Sequence, residues 1–155
     1  MTGLTKPPNN ALPMVTIIRD RHVSANEFAL LMGAVGWGSS AAYDRSAIER
    51  SISSYPFIAH ARAESGTLVG YVSAFSDGAF SVFLGELVVH PQFQRQGIGS
   101  RLLGTVESHY GGVPVYVKLF VEQQRFFERN GYSQPSRAMT VLSKRNAGNT
   151  GRTFS

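Results

Sequence analysis

The stretch "VVHPQFQRQGIGSRLL", residues 88–103, joins two kinds of local structure. A short apolar run ends at Pro91, which cannot donate to a β-ladder and biases His90 toward extended geometry. From Ile98 onward, apolar residues recur at the spacing of a helix. The stretch therefore predicts a strand, a polar turn that contains glycines, and an amphipathic helix.

The polar turn has the character of an anion-binding loop. A helix N-terminus presents amide groups without intrahelical partners and the positive end of the helix dipole. With glycine at 97 and 99, no side chain keeps a phosphate away from those amides. We interpret the turn as a diphosphate cradle, and a plain helix-entry turn is the alternative. Further donors on the same rim are Gln94, Arg95, Gln96 and Arg101.

Two familiar phosphate-binding loops do not fit this turn. A dinucleotide-binding fingerprint would need a third glycine at the position of Leu102. A P-loop would need Gly-Lys-Ser/Thr, which the stretch lacks.

The remaining periodicity predicts a mixed sheet with helices on both faces. Ser24 followed by Glu27 is the capping-box signature of a helix start, and "ESG" and "SDG" separate three strand-like runs as antiparallel hairpins. The predicted class is α+β (an α/β mixed sheet) with the order β-α-α-β-β-β-α-β-α-β. The predicted segments are, in order, "MVTIIRD", "VSANEFALLMGAV", residues 44–54, "FIAHAR", "TLVGYVSAF", "AFSVFLGELVVH", the helix after the glycine turn, "PVYVKLF", "EQQRFFERNGY" and "AMTVLS".

Size and composition indicate one globular domain. The chain has 155 residues, of which 43% are hydrophobic and 16% charged. We expect the domain to span residues 14–143, with flexible tails at 1–13 and 144–155. The absence of cysteine excludes a disulfide scaffold, a thiolate metal site and a cysteine nucleophile. Since neither a signal peptide nor a membrane span is recognisable, we expect a cytoplasmic protein without membrane contact.

The positive charge is concentrated in the second half of the chain. Residues 91–155 carry nine Lys/Arg and three Asp/Glu, whereas residues 1–90 carry six and seven. Such a surplus suits a polyanionic ligand, either a phosphorylated cofactor or a nucleic acid. A nucleic-acid surface would interleave basic residues with exposed aromatics, whereas the aromatics here fall mainly in apolar runs, which disfavours that class.

The segment "LGELVVHPQFQRQGIGSRLL" resembles the acyl-CoA-binding core of the GCN5-related N-acetyltransferase (GNAT) superfamily. Its pattern is Q/R-x-x-G-x-G/A after a strand that ends in V-x-P. The later segment "RFFERNGY", residues 125–132, is similar to the family's F-Y-E-x-x-G-F. The predicted element order agrees with the GNAT-type acyl-CoA N-acyltransferase fold. Within the superfamily, "GYVSAFSDGAF" most resembles general amine acetyltransferases that include plant plastid serotonin acetyltransferase-like proteins.

The resemblance implies acetyl-CoA as cosubstrate, no metal, and direct attack of a primary amine on the thioester. Strand backbone would pair with the pantetheine arm and polarise the thioester carbonyl. Amides of residues 95–100 would hold the pyrophosphate, and the following aromatic helix would pack along the cofactor. The implied cofactor-binding residues are Leu87, Val88, Val89, Gln94, Arg95, Gln96, Gly97, Ile98, Gly99, Ser100, Arg101, Phe126 and Phe127.

Glu86 is the candidate base. An alkylamine, with a pKa of about 10.4 for lysine, is protonated at neutral pH and must lose a proton before it attacks. Glu86 is the only acid within an otherwise apolar central strand, so it serves either as base or base relay or as a structural hydrogen-bonding residue. His60 and His90 are rival bases.

The proton donor for the departing thiolate is less evident. Family members often use the tyrosine of F-Y-E, and Phe127 stands at that position here. Tyr132 is the candidate substitute, with Tyr116 as an alternative, although a thiol with a pKa of about 8.5 leaves without much help. Loss of the acid also motivates a second hypothesis, a catalytically weak acyl-CoA-binding module.

The acceptor site is expected around "GWGSSAAYD", residues 36–44, with Trp37 and Tyr43 as aromatic walls beside Glu86. Both aromatics are alternatively core anchors of the loop. An acid for a cationic amine is left open among Asp44, Glu49 and Asp77. An exposed last strand is compatible with a homodimer.

Overall fold

The computed structural model describes residues 14–145 as a five-stranded mixed sheet with four α-helices, and the predicted α+β class is confirmed. Apart from residues 144 and 145, the predicted flexible tails lie outside the described residues. The elements are β1 (Val15–Ile18), α1 (Ala25–Ala34), α2 (Arg45–Ser54), β2 (Phe57–Ala63), β3 (Leu68–Ser76), β4 (Val82–Val89), α3 (Ile98–His109), β5 (Val115–Tyr116) and α4 (Gln124–Arg129). Short 3₁₀ turns lie at Ser40–Ala42, Pro91–Phe93 and Val121–Gln123.

The sheet has the order β1-β2-β3-β4-β5, and its first four strands are antiparallel neighbours, as the hairpin cues predict. β5 is parallel to β4, but their ladder joins only Val82 to Val115 and Phe83 to Tyr116. β4 continues to Val89. The edge of β4 beyond Phe83 therefore opens away from β5 instead of continuing the sheet.

Helices cover both faces of the sheet and bury two separate apolar cores. α1 and α2 pack on one face, and α3 and α4 pack on the other, as expected for amphipathic helices on a central sheet. The first core contains, among others, Phe28, Leu31, Met32, Ile48, Ile52, Tyr71 and Val88. The second contains, among others, Phe57, Val69, Val82, Leu84, Leu102, Leu103, Val106 and Phe127.

The predicted capping box at the start of α1 is confirmed. Ser24 Oγ accepts from the Glu27 amide at 3.1 Å, and Glu27 Oε2 accepts from the Ser24 amide at 3.0 Å. Glu27 also pairs with Arg62 of β2, whose Nη1 lies 2.7 Å from Glu27 Oε1. The Glu27 carboxylate therefore accepts from a backbone amide at the start of α1 and also links α1 to β2.

Glu27→Gln is expected to lower the free energy of unfolding at pH 7 by about 1 kcal/mol, because glutamine keeps the cap geometry but carries no charge for Arg62. The hydrogen bond from Arg62 lowers the pKa of Glu27 from 4.5 to about 2. Stability from a lowered carboxyl pKa is present above the unfolded-state pKa and is lost as pH falls through the folded-state value. The deficit should therefore shrink below pH 4.5 and vanish near pH 2.

Urea unfolding at a series of pH values measures this deficit. The exposed Glu64, in the turn after β2, supplies the matched control Glu64→Gln, which should change stability little. A Glu27→Gln deficit of equal size at pH 7 and pH 3 would show that the ion pair is not its source.

The predicted last strand, residues 138–143, is wrong. The segment forms no strand in the described chain, and Val141 and Leu142 are 64% and 89% exposed. An apolar run becomes a strand only where its backbone finds a partner edge, and the neighbouring β5 is only two residues long. The predicted strand "PVYVKLF" is shortened to Val115–Tyr116 for the same reason, since its later residues diverge from β4.

Candidate active site

A cleft of about 730 Å³ opens where β4 and β5 separate. It is lined from both faces of the sheet, by β4, the turn after it, the start of α3, the end of β5 and α4. The lining residues are Trp37, Leu84, Gly85, Leu87, Val89, Phe93, Gln94, Arg95, Gly97, Ile98, Gly99, Ser100, Val117, Lys118, Glu122, Gln123, Phe126, Phe127, Arg129 and Asn130.

The edge of β4 turns peptide groups into this cleft. The His90 amide donates to the Val69 carbonyl at 2.8 Å, and Val88 lies opposite Tyr71 in the same register. Because hydrogen-bonded pairs alternate along an antiparallel ladder, the amide and carbonyl of Val88 also face β3. The peptide groups of Leu87 and Val89 therefore face the open edge. Of the three predicted pantetheine-binding residues, Val88 instead buries its side chain in the core beneath α1 and α2.

The turn between β4 and α3 presents its amides at one end of the cleft. Gly97 has a φ of 80° and Arg95 a φ of 61°, a region that residues other than glycine rarely adopt. The first helical hydrogen bond runs from the Arg101 amide to the Gly97 carbonyl at 3.0 Å. The amides of residues 98–100 precede this bond and have no intrahelical acceptor. Unpaired amides at a helix start favour an anion, and Lys118, Arg129 and one acid, Glu122, also line the cleft.

Not every predicted residue of the turn faces the cleft. Arg101 Nη2 donates to the Val15 carbonyl at 3.1 Å, so the guanidinium ties α3 to β1. Gln96 is also absent from the cleft lining. Gln94 lines the cleft, and its Nε2 donates to the Val89 carbonyl at 2.9 Å, which satisfies one acceptor of the open β4 edge.

α4 lines one side of the cleft with aromatic rings. Phe126 packs over Gly99, where an added Cβ would lie 3.2 Å from the ring, and contacts Phe127 at a centroid distance of 5.1 Å. Phe127 is 6% exposed and carries no polar group. Tyr132 is outside the cleft lining, because its hydroxyl donates to Glu107 Oε1 of α3 at 3.0 Å. Burial, and then the Glu107 charge, raise the pKa of Tyr132.

A β-bulge turns Glu86 toward the face covered by α1 and α2. Val72 pairs with Leu87 and Ala74 with Leu84, so two residues of β4, Gly85 and Glu86, lie opposite Ser73 alone. A bulge reverses the alternation of side chains along a strand. Leu84 and Leu87 thus both face the core beneath α3, whereas Glu86 points to the opposite side.

Two hydroxyl groups hold the Glu86 carboxylate. Tyr55 Oη donates to Oε1 at 3.3 Å, Ser73 Oγ donates to Oε2, and the Glu86 amide donates back to Ser73 Oγ at 3.0 Å. Burial, and then the Glu86 charge, raise the pKa of Tyr55 to about 12, so this phenol stays protonated and acts as a donor. Each carboxylate oxygen has a second lone pair and can still accept a proton or a hydrogen bond.

Glycine at 85 makes this cluster sterically feasible. A Cβ there would lie 2.6 Å from Ser73 Oγ and closer still to Tyr55 Oη. Gly85 lines the cleft, whereas Glu86, Tyr55 and Ser73 do not, so the cluster lies behind the cleft wall at Gly85.

The rival bases are engaged elsewhere. His60 is buried, with Nε2 2.7 Å from Asp20 Oδ1, and this hydrogen bond is the main cause that lowers the pKa of Asp20 to about 2. His90 Nδ1 accepts from the Gln92 amide at 3.2 Å and caps the turn after β4. Neither imidazole lines the cleft.

The loop after α1 brings Trp37 but not Tyr43 to the cleft. Trp37 lines the cleft, whereas the Tyr43 hydroxyl donates to the Trp37 carbonyl and braces the loop from behind. Arg45 supports the same loop through the carbonyls of Ser40 and Tyr43 at 2.8 and 3.0 Å. Asp44 caps α2, and Asp77 caps the turn before β4, so both carboxylates have local structural partners.

The cleft also includes residues that our sequence reasoning did not identify. The most informative is Lys118, a basic residue within the apolar run "PVYVKLF". The others come from β4, the turn after it, the residue after β5, and the segment before and at the end of α4. They are Leu84, Gly85, Phe93, Val117, Glu122, Gln123, Arg129 and Asn130.

A protein-family model described as "Acetyltransferase (GNAT) domain" matches residues 54–134, which include β2, β3, β4, the anion-binding turn, α3, β5 and α4. The chain belongs to the GNAT acetyltransferase family. The open β4 edge and the turn after it lie within the matched GNAT region. Among residues 14–145 of this GNAT chain, no cluster of three or more His, Asp or Glu side chains is suited to hold a metal ion. Within the same residues, no helix combines the length and apolarity needed to cross a membrane.

Solved structures share the fold of this GNAT chain at low identity. A GNAT family acetyltransferase from Streptococcus pneumoniae TIGR4 is 24% identical, covers 86% of this chain and all of its own, and has a TM-score of 0.68. An aminoglycoside N-acetyltransferase, AAC(6')-Iy in complex with CoA, is 17% identical, with coverages of 87% and 98% and a TM-score of 0.63. Glucosamine-6-phosphate N-acetyltransferase from Arabidopsis thaliana is 19% identical, with coverages of 84% and 99% and a TM-score of 0.58.

A curated relative matches a shorter segment of the GNAT chain. Mycothiol acetyltransferase from Kineococcus radiotolerans is 45% identical over 56 residues. The match covers 35% of this chain and 18% of that relative. This short match agrees with membership of the GNAT family and does not identify the acceptor of this chain.

Proposed function

We propose that the chain, as a single domain over residues 14–143, transfers an acetyl group from acetyl-CoA to a primary amine. The observation that carries this proposal is a continuous path through the sheet. The path begins at the unpaired amides of the turn before α3, follows the open edge of β4, and ends at Gly85, where a Cβ would meet the hydroxyls that hold the Glu86 carboxylate.

The cofactor is proposed to lie along the first two parts of this path. Its diphosphate would accept from the amides of residues 98–100, with Arg95, Lys118 and Arg129 balancing the charge. Its pantetheine arm would pair with the peptide groups of Leu87 and Val89, in the place that β5 would occupy if it continued alongside β4. Because the Gln94 side chain donates to the Val89 carbonyl, an arm that uses this acceptor must displace that amide.

Glu86 is proposed to take the proton that the ammonium form of the acceptor must lose, directly or through one water. The neutral amine then forms the C–N bond to the thioester carbonyl carbon, and the C–S bond breaks. The edge amide of Leu87 or Val89 would donate to the carbonyl oxygen as negative charge develops on it. The amine nitrogen loses its second proton to solvent, and the thiolate gains one from solvent.

The absence of a tyrosine at Phe127 favours one other candidate, an acyl-CoA-binding module with little or no turnover. Phe127 cannot donate a proton, and Tyr132 directs its hydroxyl to Glu107. We therefore do not propose Tyr132 as the acid. Transfer remains the better proposal because a thiolate with a conjugate pKa of about 8.5 leaves without an acid, so the loss of the tyrosine does not remove a required group.

Calorimetric titration with CoA tests the cofactor site, and Ser100→Glu is the variant expected to lose affinity. Ser100 lines the cleft in the first turn of α3, where a carboxylate favours the helix but repels a diphosphate. We expect the CoA Kd to rise by at least about tenfold. Ser108→Glu places the same charge at the other end of α3 and should leave the Kd unchanged. Equal affinity of both variants would refute the assigned diphosphate site.

Free-thiol release separates the two candidate functions. The protein is incubated with acetyl-CoA and a panel of primary amines, and the thiol is measured against a reaction without protein. Amine-dependent release supports transfer. Tight CoA binding with no release for any amine would favour the module without turnover.

A further inference from the structure

A row of aromatic rings crosses the sheet next to Glu86. Tyr55 and Phe75 lie at a centroid distance of 4.2 Å, Phe75 and Phe83 are cross-strand partners, and Phe83 stacks on Tyr116 at 5.6 Å with an interplanar angle of 25°. The row thus runs from the end of α2 across β3 and β4 to β5.

The row lies on the same face of the sheet as the Glu86 carboxylate. Phe83 stands between Val82 and Leu84, which are buried in the core beneath α3, so its ring points to the opposite face. Tyr55 joins the row to the carboxylate, because its ring packs on Phe75 and its hydroxyl donates to Glu86 Oε1 at 3.3 Å.

Much of this aromatic surface is exposed. Phe75 is 47% exposed, Phe83 54% and Tyr116 39%. Isolated exposed rings are ordinary, but a contiguous apolar patch of adjacent rings marks a binding surface. None of these four rings lines the cleft, because Leu84 and Val117, the neighbours of Phe83 and Tyr116 that do line it, point to the opposite face of the sheet.

We propose that this aromatic row binds the tail of the acceptor, and that the acceptor is a primary amine with an apolar, preferably aromatic, tail. The inference rests on the proposed transfer reaction and names its substrate class. The amine would lie at the Glu86 end of the row, and the tail would lie on Phe75, Phe83 and Tyr116 by stacking and apolar burial.

The chemistry of the row disfavours a heavily hydroxylated acceptor such as an amino sugar. Sugar hydroxyls need hydrogen-bonding partners when they are desolvated. The rings of Phe75 and Phe83 supply none, and the Tyr55 hydroxyl is already committed to Glu86, which leaves the Tyr116 hydroxyl as the polar group of the row. A second copy of the chain is the competing occupant, but the direct link from Tyr55 to the Glu86 carboxylate favours the acceptor.

Phe83→Ala tests the inference with a matched pair of amines, phenylethylamine and ethylamine, at saturating acetyl-CoA. We expect the KM for phenylethylamine to rise by about tenfold with little change in kcat, and the KM for ethylamine to stay the same. Phe80→Ala is the control, because Phe80 belongs to the same hairpin but lies in the turn before β4 and is 82% exposed. It should alter neither KM. Thermal unfolding verifies that Phe83→Ala folds, and Tyr116→Ser provides a second removal of a ring from the row.

Binding of each amine to the CoA-saturated protein is measured by calorimetry alongside turnover. A protein that binds phenylethylamine through Phe83 but releases no thiol would refute the transfer reaction and retain the acceptor site. A wild-type preference for glucosamine over phenylethylamine, or an unchanged phenylethylamine KM and Kd in both ring variants, would overturn the inference. Sedimentation velocity completes the test: dissociation of a dimer by Phe83→Ala, with unchanged amine binding, would assign the row to a second copy.

Discussion

Glu86→Gln is expected to lower kcat for amine acetylation by about 10²- to 10³-fold at pH 7, the usual contribution of a general base. Glutamine preserves the shape of the side chain and can still accept from Tyr55, but it cannot take the proton of the ammonium. Affinity for CoA should not change, because the cofactor is assigned to the turn before α3 and to the edge of β4. Steady-state kinetics and CoA calorimetry on the same preparation measure the two quantities.

The pH dependence distinguishes a base from a structural carboxylate. As pH rises toward about 10.4, an alkylamine loses its proton to solvent and needs no base. The rate ratio between wild type and Glu86→Gln should therefore shrink with pH. Glu107→Gln is the matched control. Glu107 lies on α3 outside the cleft lining and accepts a hydrogen bond from Tyr132, so this variant should leave kcat unchanged. A deficit of constant size across this pH range would mean that Glu86 only supports the cluster.

Gly85→Ala is expected to lower the free energy of unfolding by about 2–3 kcal/mol and to reduce acetylation as severely as loss of Glu86. The added methyl would lie 2.6 Å from Ser73 Oγ and closer to Tyr55 Oη, so the hydroxyls that hold the carboxylate must move. CoA affinity should survive in the folded fraction, because the anion-binding turn begins only after β4. Denaturant unfolding, kinetics and CoA calorimetry together measure the three effects.

Gly104→Ala is the appropriate comparison for Gly85→Ala. Gly104 lies within α3, and a Cβ there would meet nothing within 4 Å. Alanine should therefore stabilise the helix by about 0.5–1 kcal/mol without altering activity. If Gly85→Ala were as stable and active as Gly104→Ala, the close packing of Tyr55 and Ser73 at the bulge would not constrain the site.

Much of the fold could be predicted from local signals in the sequence. The capping box of Ser24 and Glu27 is made by residues three positions apart, and the position of Pro91 ends β4 regardless of what surrounds it. The unpaired amides before α3 are equally local, because any helix start presents them. These features depend on backbone geometry over a few residues, which is why they could be predicted without coordinates.

The direction of individual side chains could not be predicted in the same way. Arg101 and Tyr132 both carry suitable polar groups, yet one is held by the Val15 carbonyl and the other by Glu107, each distant in the sequence. The last predicted strand failed because its apolar run has no adequate partner edge. A sequence pattern reports what a segment is able to do, whereas its partners are decided by the rest of the chain.

By itself, the sequence determined the class of fold, the place of the glycine-containing turn between β4 and α3, and the presence of one carboxylate in the central strand. Only the tertiary structure decided on which face that carboxylate lies. The spacing of Leu84 and Leu87, with glycine at 85, is a faint sign of a bulge, but the bulge exists because Ser73 on the neighbouring strand pairs with both the amide and the carboxylate of Glu86. Strand alternation is a local rule, and the register that reverses it is set by hydrogen bonds between residues far apart in the chain.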